Sequence, residues 1–183
     1  SSNTNVATVN ATSGEVTIVG NGSTTITATV TDGTNYTYAA KTATYTLSVG
    51  TAAMTVNATG YTGAYDGQAH GITVTAPAGA TVKYGTSAGT YNLNASPTYT
   101  NAGSYTVYYE VTKANYTTVT GSAVVNISKA SASISYATAS VGKTFGDAPF
   151  TNSLTNTGDG AVTYSSSNTN VATVNATSGE VTI

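Results

Sequence analysis

Apolar and polar residues alternate with a period of two in many segments of the chain, as in strands that bury one face. In Ser104–Val111 the alternate positions that form one face are Tyr105, Val107, Tyr109 and Val111. The same rule predicts strands at Thr25–Val30, Thr42–Val49 and Ser131–Tyr136. Their expected inward residues are Ile26, Ala28 and Val30, then Ala43, Tyr45, Leu47 and Val49, and lastly Ala132, Ile134 and Tyr136. Because no helical period competes, the sequence predicts an all-β fold of antiparallel sandwiches.

Turn-forming pairs separate the predicted strands, and they lie at Asn21-Gly22, Asp32-Gly33, Asp66-Gly67 and Asp159-Gly160. Composition supports the same fold class. Threonine makes up more than a fifth of the chain, and tyrosine (14 residues) far outnumbers phenylalanine (2 residues). Both threonine and tyrosine favour the pleated, half-buried surface of a sheet, whereas good helix formers are scarce here.

An internal repeat links the two ends of the sequence. Residues Ser1–Ile18 read SSNTNVATVNATSGEVTI, and Ser166–Ile183 read the same eighteen residues, at an offset of 165 positions. Complete identity indicates tandem copies of one unit, since convergence would preserve only the pattern. We therefore expect either a window onto a longer array of repeats or ends that a neighbouring molecule completes.

The repeat suggests how the chain divides into domains. Residues 51–130 are predicted to form one complete sandwich, long enough for seven strands. Residues 1–50 would be the C-terminal part of a second kind of domain, and residues 131–183 the N-terminal part of its next copy. Closure of the two parts within one molecule is not expected, because sandwich domains in series usually have their ends at opposite poles.

Charge and cysteine content exclude several classes of function. Charged residues make up 7% of the chain and the formal net charge is −2, so the chain offers no basic surface for nucleic acid. Cysteine is absent, as in many proteins that bacteria or archaea export. No apolar stretch is long enough to span a bilayer, and this segment carries no signal peptide.

The run Val162–Ile183, continued by Val19–Gly33, carries a Ser-Ser-Asn-x-x-Val-Ala-x-Val pattern followed by spaced glycines. In this pattern the run resembles a group 2 bacterial Ig-like domain. The matching positions are Ser166, Ser167, Asn168, Val171, Ala172, Val174, Gly179 and Val181, with Gly22, Ile26 and Ala28 in the continuation. This resemblance covers about half of the domain that the two ends would form together.

The middle of the chain is similar to the mostly-bacterial Ig-like (MBG) repeats. The similarity rests on Ala64–Gly67, which reads AYDG, and on Asn101–Tyr109, which reads NAGSYTVYY. Both resemblances imply surface-anchored proteins in which such modules are spacers or, in some cases, adhesive tips. Neither family brings catalytic residues, and the functional step is analogy from fold.

Few residues are candidates for chemistry. His70 is the only histidine, with Asp66 and Gln68 nearby, but the stretch has the composition of a turn rather than of a catalytic site. An ester cross-link between a threonine and Gln68 is one alternative for this stretch. Isopeptide cross-links would require a lysine buried beside an asparagine or aspartate and an acid. The five lysines, of which Lys83 is the clearest, are instead expected at strand ends or on outward faces; they are Lys41, Lys83, Lys113, Lys129 and Lys143.

Other polar groups have simpler explanations than binding. A calcium site would need several converging oxygens, and the turn acids are Asp32, Asp66, Asp147 and Asp159. Four tyrosines are candidates for stacking on sugar rings, namely Tyr61, Tyr91, Tyr108 and Tyr116. Eight N-glycosylation sequons begin at Asn10, Asn21, Asn35, Asn57, Asn94, Asn115, Asn126 and Asn175, and chance explains most of them in so Asn- and Thr-rich a chain. Threonine ladders could bind ice, but strand propensity accounts for them.

The sequence therefore predicts a structural, non-enzymatic stalk or spacer repeat of an extracellular adhesin or fibre at the cell surface. No catalytic, cofactor-binding or metal-binding residue is predicted, and no cofactor. The expected partners are neighbouring repeats, with a glycan or protein ligand as a further possibility. Two alternatives remain open: a carbohydrate- or host-binding adhesive module, and a filament subunit completed by strands from a neighbouring chain.

Overall fold

The computed structural model describes residues 1–183 and contains only strands, turns and loops. The all-β prediction is confirmed. The strands are β1 (Ala7–Val9), β2 (Val16–Ile18), β3 (Gly22–Thr29), β4 (Thr42–Val49), β5 (Asn57–Thr59), β6 (Tyr61–Ala64), β7 (Thr73–Thr75), β8 (Thr81–Gly85), β9 (Gly103–Thr112), β10 (Val119–Ser128), β11 (Ile134–Tyr136), β12 (Leu154–Asn156), β13 (Thr173–Val174) and β14 (Val181–Thr182). The chain forms two compact units, Ser1–Ser128 and Lys129–Ile183. The predicted domain boundaries after residues 50 and 130 stay a prediction.

Residues 51–128 form a two-layered sandwich of six strands, one fewer than the length allowed. One sheet has the order β6-β10-β9-β8, in which β6 runs parallel to β10 and the other neighbours are antiparallel. The second layer is the antiparallel pair β5–β7, in which Ala58 lies opposite Val74. Both of these residues pack against the core between the layers.

The core of this sandwich follows the alternation in the sequence. Its buried residues are Ile72, Val107, Tyr109, Val111, Val125 and Ile127. Of the four predicted inward residues of β9, three are buried and Tyr105 is half-buried against the same cluster. Tyr105 also stacks on Tyr99, with ring centroids 4.0 Å apart. Alternation therefore predicted both the strand and its buried face.

Glycines opposite or beside tyrosines allow the aromatic rings to lie flat on the sheet. Gly121 pairs with Tyr109 across β10 and β9, and a Cβ at residue 121 would lie 2.4 Å from the Tyr109 hydroxyl oxygen. Gly63 and Gly103 lie against the rings of Tyr61 and Tyr105, each on the same strand as its tyrosine. Since a real Cβ cannot approach so closely, each ring occupies the space that a larger residue would need.

Residues 1–50 consist of two antiparallel pairs, β1–β2 and β3–β4. In the β3–β4 hairpin Ile26 is buried and Leu47 and Val49 are half-buried, as the alternation predicts. The prediction is wrong for Tyr45, which is 53% exposed, and for Ala28, Val30 and Ala43, which are also exposed. Strands β3 and β4 pair with the predicted alternation, but no second layer covers the part of the hairpin where these four residues lie.

The Lys129–Ile183 unit contains the short pairs β11–β12 and β13–β14. Phe150 adds a single bridge to Val181, with backbone hydrogen bonds of 2.8 and 3.1 Å in the two directions. The predicted inward residues Ala132, Ile134 and Tyr136 are all exposed, so this prediction is wrong. The strand β11 forms, but only two-stranded sheets are present to cover it.

Of the four predicted turn pairs, two contain a glycine with the backbone that only glycine adopts readily. Gly22 has φ +133° and Gly67 has φ +77°. Gly33 and Gly160 lie outside the left-handed region. Their turns therefore do not depend on glycine in the same way.

Candidate functional site

The two copies of the repeated eighteen residues adopt the same local structure. In the N-terminal copy, residues 1–18, Thr8 pairs with Thr17 and Val9 with Val16. In the C-terminal copy, residues 166–183, the equivalent pairs are Thr173–Thr182 and Val174–Val181. The register is identical, so this segment encodes its own hairpin wherever it stands in the chain.

The turn inside the segment explains this local independence. The side-chain oxygen of Asn10 accepts hydrogen bonds from the N–H groups of Thr12 and Ser13, both at 2.9 Å. Asn175 does the same for Thr177 and Ser178, also at 2.9 Å. The following glycines, at residues 14 and 179, have φ +72° and +73°. Asparagine caps and left-handed glycines thus stabilise the turn through contacts within the segment itself.

The two copies have different surroundings, so identical residues differ in exposure between them. Val6 and Ala7 in the N-terminal copy are buried, with exposures of 3% and 0%. Val171, the equivalent of Val6, is 66% exposed. A Cβ at residue 22 would lie 2.9 Å from a methyl group of Val6, so strand β3 covers this side of the N-terminal copy.

Polar contacts attach the N-terminal copy to the same strand. The hydroxyl of buried Thr24 accepts a hydrogen bond from Asn3 N–H at 2.9 Å and lies 2.9 Å from Ser1 Oγ. Ser2 N–H donates to Thr25 O at 3.0 Å. In the C-terminal copy Asn168 N–H, the equivalent of Asn3 N–H, donates locally to Ser166 Oγ at 3.3 Å. The same donor therefore has a tertiary acceptor in one copy and a neighbouring residue in the other.

The C-terminal copy has its own contacts, with residues that precede it in the chain. Phe150 bridges to Val181, and Tyr164 N–H donates to Ala176 O at 3.0 Å. The Tyr164 ring lies over Gly179, where a Cβ would be 2.8 Å from ring carbons. Each copy therefore contacts a different set of residues outside the shared segment.

An open groove of about 350 Å³ lies beside the C-terminal copy within the Lys129–Ile183 unit. Its apolar walls are Tyr136, Val141, Phe150, Tyr164, Val174 and Val181. The remaining lining residues are uncharged. Apolar and hydroxyl-bearing side chains therefore share the lining of the groove, and the Lys143 ammonium lies 4.8 Å from the centroid of the Phe150 ring in its wall.

Asn115 joins the N-terminal hairpins to the middle sandwich. Its side-chain oxygen accepts a hydrogen bond from Asn21 N–H at 3.0 Å, and its carbonyl accepts one from Ala52 N–H at 2.8 Å. Asn115 is the one residue other than glycine with positive φ, at 68°, a conformation that asparagine tolerates better than most residues. Ala52 O in turn accepts from Thr117 N–H at 2.9 Å. One loop therefore holds both the hairpins and the chain segment that leads into the sandwich.

His70 and Asp66 form a turn contact rather than a catalytic arrangement. His70 Nε2 lies 3.0 Å from Asp66 Oδ1, and its ring stacks on Tyr61 with centroids 3.6 Å apart. Two groups lower the pKa of Asp66 by hydrogen bonding to its carboxylate. The Gln68 N–H has the larger effect and the His70 side chain the smaller one. Gln68 contributes a backbone group to this cluster, and the His70 backbone pairs with Tyr99. The contacts of Asp66 with Gln68 and His70 stabilise the conformation of this turn.

The lysines bring no buried amine to a cross-linking site. Lys83 contacts the side-chain oxygen of Asn94 and stands opposite Glu110 in the sheet, but on the outer face, since its neighbours Val82 and Tyr84 pack on the core. Lys41 pairs with Asp32. Lys113 and Lys143 lie over aromatic rings, those of Tyr116 and Phe150. The outward placement predicted for Lys83 is confirmed.

The acids and candidate sugar-stacking tyrosines do not converge. No group of three or more His, Asp or Glu side chains is placed to hold a metal ion. Asp32 contacts Lys41 and the Tyr38 N–H, which lower its pKa, and Asp147 accepts from Thr144 N–H. The four tyrosines Tyr61, Tyr91, Tyr108 and Tyr116 are all half-buried rather than exposed. No helix in the chain could cross a bilayer.

Comparison with known proteins supports the relationship between the two ends. The family model described as the intimin immunoglobulin-like domain matches residues 1–34 and 148–183. No curated protein and no solved structure gives a match. The sequence resemblance specified a group 2 domain at these positions. The matched family supports the broader statement that the two ends carry parts of a bacterial Ig-like domain.

Proposed function

We propose that the chain is a structural stalk or spacer repeat of an extracellular bacterial adhesin. The observation that carries the proposal is that one eighteen-residue segment forms the same hairpin at both ends of the chain and contacts different neighbours in each copy. A matched Ig-like family that covers only those two ends fits the same conclusion.

In the proposed array, one Ig-like domain consists of residues 131–183 followed by the equivalent of residues 19–50. The eighteen shared residues would then meet Phe150 and Tyr164 on one side and the β3 strand on the other. The sandwich of residues 51–130 would separate successive copies of this domain as an MBG-like module. Two kinds of domain would alternate along the array with a period of 165 residues.

The contacts of Asn115 support a stiff connection between neighbouring domains. Two hydrogen bonds, at 3.0 and 2.8 Å, attach the N-terminal hairpins and the connecting segment to a single loop. A freely jointed linker would have no such contacts. A stalk built from such joints would keep its adhesive parts at a distance from the cell surface.

The chain's surface also suits a spacer outside the cell. With 7% charged residues and abundant threonine, its solubility depends on hydroxyl groups rather than on charge. Salt screens charge interactions over about 8 Å at physiological ionic strength but leaves hydroxyl hydration unchanged. The four tyrosines proposed for sugar contact are half-buried, so they add no support to the adhesive alternative.

Small-angle X-ray scattering on chains of one, two and four repeats tests the proposal. The maximum dimension should rise by a constant increment for each added repeat, as expected of a rod. The matched control is the same series with Asn115→Gly, in which the joint loses its side-chain contact and the increment should shrink. Compact particles whose maximum dimension grows only as the cube root of mass would contradict the spacer function.

A further inference from the structure

We propose that the middle sandwich, residues 51–128, bears tensile load, and that a pull on its two chain ends is resisted by shear between the segment that enters it and the strand that leaves it. The inference rests on the proposed function, because a spacer that joins an adhesive part to a cell transmits force along its chain. It goes further by assigning the load to one set of contacts and by predicting how the sandwich fails.

The segment that enters the sandwich and the strand that leaves it run side by side in the same direction. Strand β6 pairs with β10 in parallel, with Tyr61 opposite Val125. Ala52 forms a parallel bridge with Tyr116, at the same offset of 64 positions. One register therefore applies from the entry of the chain to the end of β6, although β5 between them pairs with β7 in the other layer. We call this arrangement, residues 52–64 against residues 116–128, the parallel run.

Backbone hydrogen bonds fasten the parallel run at both of its ends. At the entry, Ala52 N–H donates to Asn115 O at 2.8 Å, and Ala52 O accepts from Thr117 N–H at 2.9 Å. At the exit, Tyr65 N–H donates to Ser128 O at 2.8 Å and so continues the ladder one residue beyond β6. The run is thus held at its first and last residues as well as along β6.

Gly60 lets the entering segment change layers while it stays against β10. This glycine lies between β5, which belongs to one layer, and β6, which belongs to the other. A Cβ at residue 60 would collide with the carbonyl oxygen of Val124, so the two backbones pass each other with no side chain between them. The parallel run therefore remains closely packed at the point where the segment leaves one sheet for the other.

The parallel direction determines how a pull loads these contacts. Tension draws β6 back toward residue 51 and β10 forward toward residue 129, so the two strands are pulled in opposite directions along their own axes. The hydrogen bonds between them are then loaded together. In an antiparallel pair of end strands, the same pull would open one bond at a time. Each bond contributes only about 1 kcal/mol net, but bonds that must break together give a higher barrier to forced unfolding than bonds that break in sequence.

Sliding of β6 would also break contacts with the loop that follows it. The Tyr61 ring stacks on His70 with centroids 3.6 Å apart, and the His70 backbone exchanges hydrogen bonds of 2.8 and 2.9 Å with Tyr99. Ser128 Oγ donates to Gly63 O at 3.2 Å, between the two strands of the parallel run. A shift of β6 by one residue would lose the ring stack and this side-chain bond together with the ladder.

Single-molecule pulling on the 183-residue chain in two directions tests the proposal. The chain contains no cysteine, so a pair of introduced cysteines gives unique attachment points. Gly50→Cys with Lys129→Cys applies the pull along the parallel run. Gln68→Cys with Lys129→Cys pulls from the end that β6 and β10 share, so it opens the same pair bond by bond. All three positions are exposed, and nothing lies within 4 Å of the Cβ position of residue 50.

The first double variant should unfold at a force at least about twofold higher than the second at the same loading rate. The length released identifies the event, since the extended chain measures roughly 27 nm between residues 50 and 129 and roughly 21 nm between residues 68 and 129. Equal forces in the two directions, or a higher force in the second, would overturn the proposal.

Two substitutions at one residue isolate the contribution of the ladder. Tyr65→Pro removes the N–H that donates to Ser128 O, whereas Tyr65→Ala removes the ring and keeps that N–H. Tyr65 is 46% exposed, so both variants should fold. The proline variant should unfold at a lower force than the alanine variant when pulled along the parallel run, and equal forces would also overturn the proposal. The scattering series measures length rather than strength, so a constant increment there would keep the spacer function even if the load-bearing role failed.

Discussion

The middle sandwich and the regions that flank it are built from the same kind of strand but differ in what covers the strands. In residues 51–128 two layers enclose Val107, Val111 and Val125, each at 0% exposure. In the flanking regions the apolar faces of β4 and β11 expose Tyr45 and Ile134 at 53% and 60%. Alternation therefore determines which face of a strand is apolar, whereas burial depends on whether a second layer is present.

The largest expected effect contrasts valines in these two settings. Val107→Asp places a charge in the closed core and should lower the free energy of unfolding of the sandwich by more than about 4 kcal/mol. Val171→Asp at the exposed position should change the stability of its own unit by less than about 0.5 kcal/mol. Urea unfolding at low protein concentration, monitored by circular dichroism, measures the loss in Val107→Asp. Amide hydrogen exchange measures the smaller change in Val171→Asp. Similar losses at both positions would mean that Val171 is covered in solution.

A smaller effect is expected where tyrosines cover glycines in the middle sandwich. In Gly121→Ala the new methyl would meet the Tyr109 ring, which is 8% exposed and cannot move into solvent, so a loss of about 1–3 kcal/mol is expected. Gly33→Ala in the flanking region is the matched control, since nothing lies within 4 Å of its Cβ position. That variant should be neutral or slightly stabilised. Equal melting temperatures for the two variants would show that the ring is not fixed.

Sequence patterns anticipated the middle sandwich better than its flanks, for a physical reason. In β9 every other residue is apolar and the partner strands lie within the same eighty residues, so local pattern and final burial agree. In β4 and β11 the pattern is equally clear, but no second layer covers Tyr45 or Ile134. A pattern in one strand carries no information about whether its partner layer is present.

The contacts of the candidate site also divide into local ones, which nearby residues indicate, and distant ones, which they do not. The turn of the shared segment was not among the predicted turn pairs, although Asn10 and Gly14 act on their near neighbours and so give a local signal. The role of Asn115 was missed, although Asn115 begins one of the eight sequons, because its partner Asn21 lies 94 positions away. No local signal indicated the positive φ of Asn115. Likewise, the six strands of the sandwich, with β6 parallel to β10, could not be derived from alternation.

The place where the middle sandwich meets a flanking region gives the next prediction. Asn115→Ala loses the hydrogen bond to Asn21 and places alanine in the left-handed region, so about 2 kcal/mol of stability should be lost. Asn115→Gly loses only the hydrogen bond and should lose about 1 kcal/mol. Thermal unfolding of the two variants separates the contributions. An alanine variant as stable as the glycine variant would mean that the backbone conformation carries no strain.

The smallest effect concerns pH and compares one turn acid from each region. The pKa of Asp66 is lowered by the Gln68 N–H and His70, and that of Asp32 by Lys41 and the Tyr38 N–H. A lowered folded-state pKa adds stability that is fully present above the ordinary value of about 3.9 and is lost as pH falls through the folded value. Asp66→Asn should therefore reduce the acid sensitivity slightly. Carboxyl carbon titration by NMR should give midpoints below about 3.9 for both residues, and a midpoint at or above that value would contradict the turn contacts.

The proposed array requires that the equivalent of strand β3 packs against the C-terminal copy of the shared segment. The direct measurement is methyl NMR of a chain extended after Ile183 by a second copy of residues 19–50. The Val171 methyl groups should then show nuclear Overhauser effects to the appended equivalent of Gly22, as those of Val6 do to Gly22, and should lose their exposure to a soluble paramagnetic probe. Val171 methyl groups that remain accessible to the probe and make no contact with the appended strand would contradict the account.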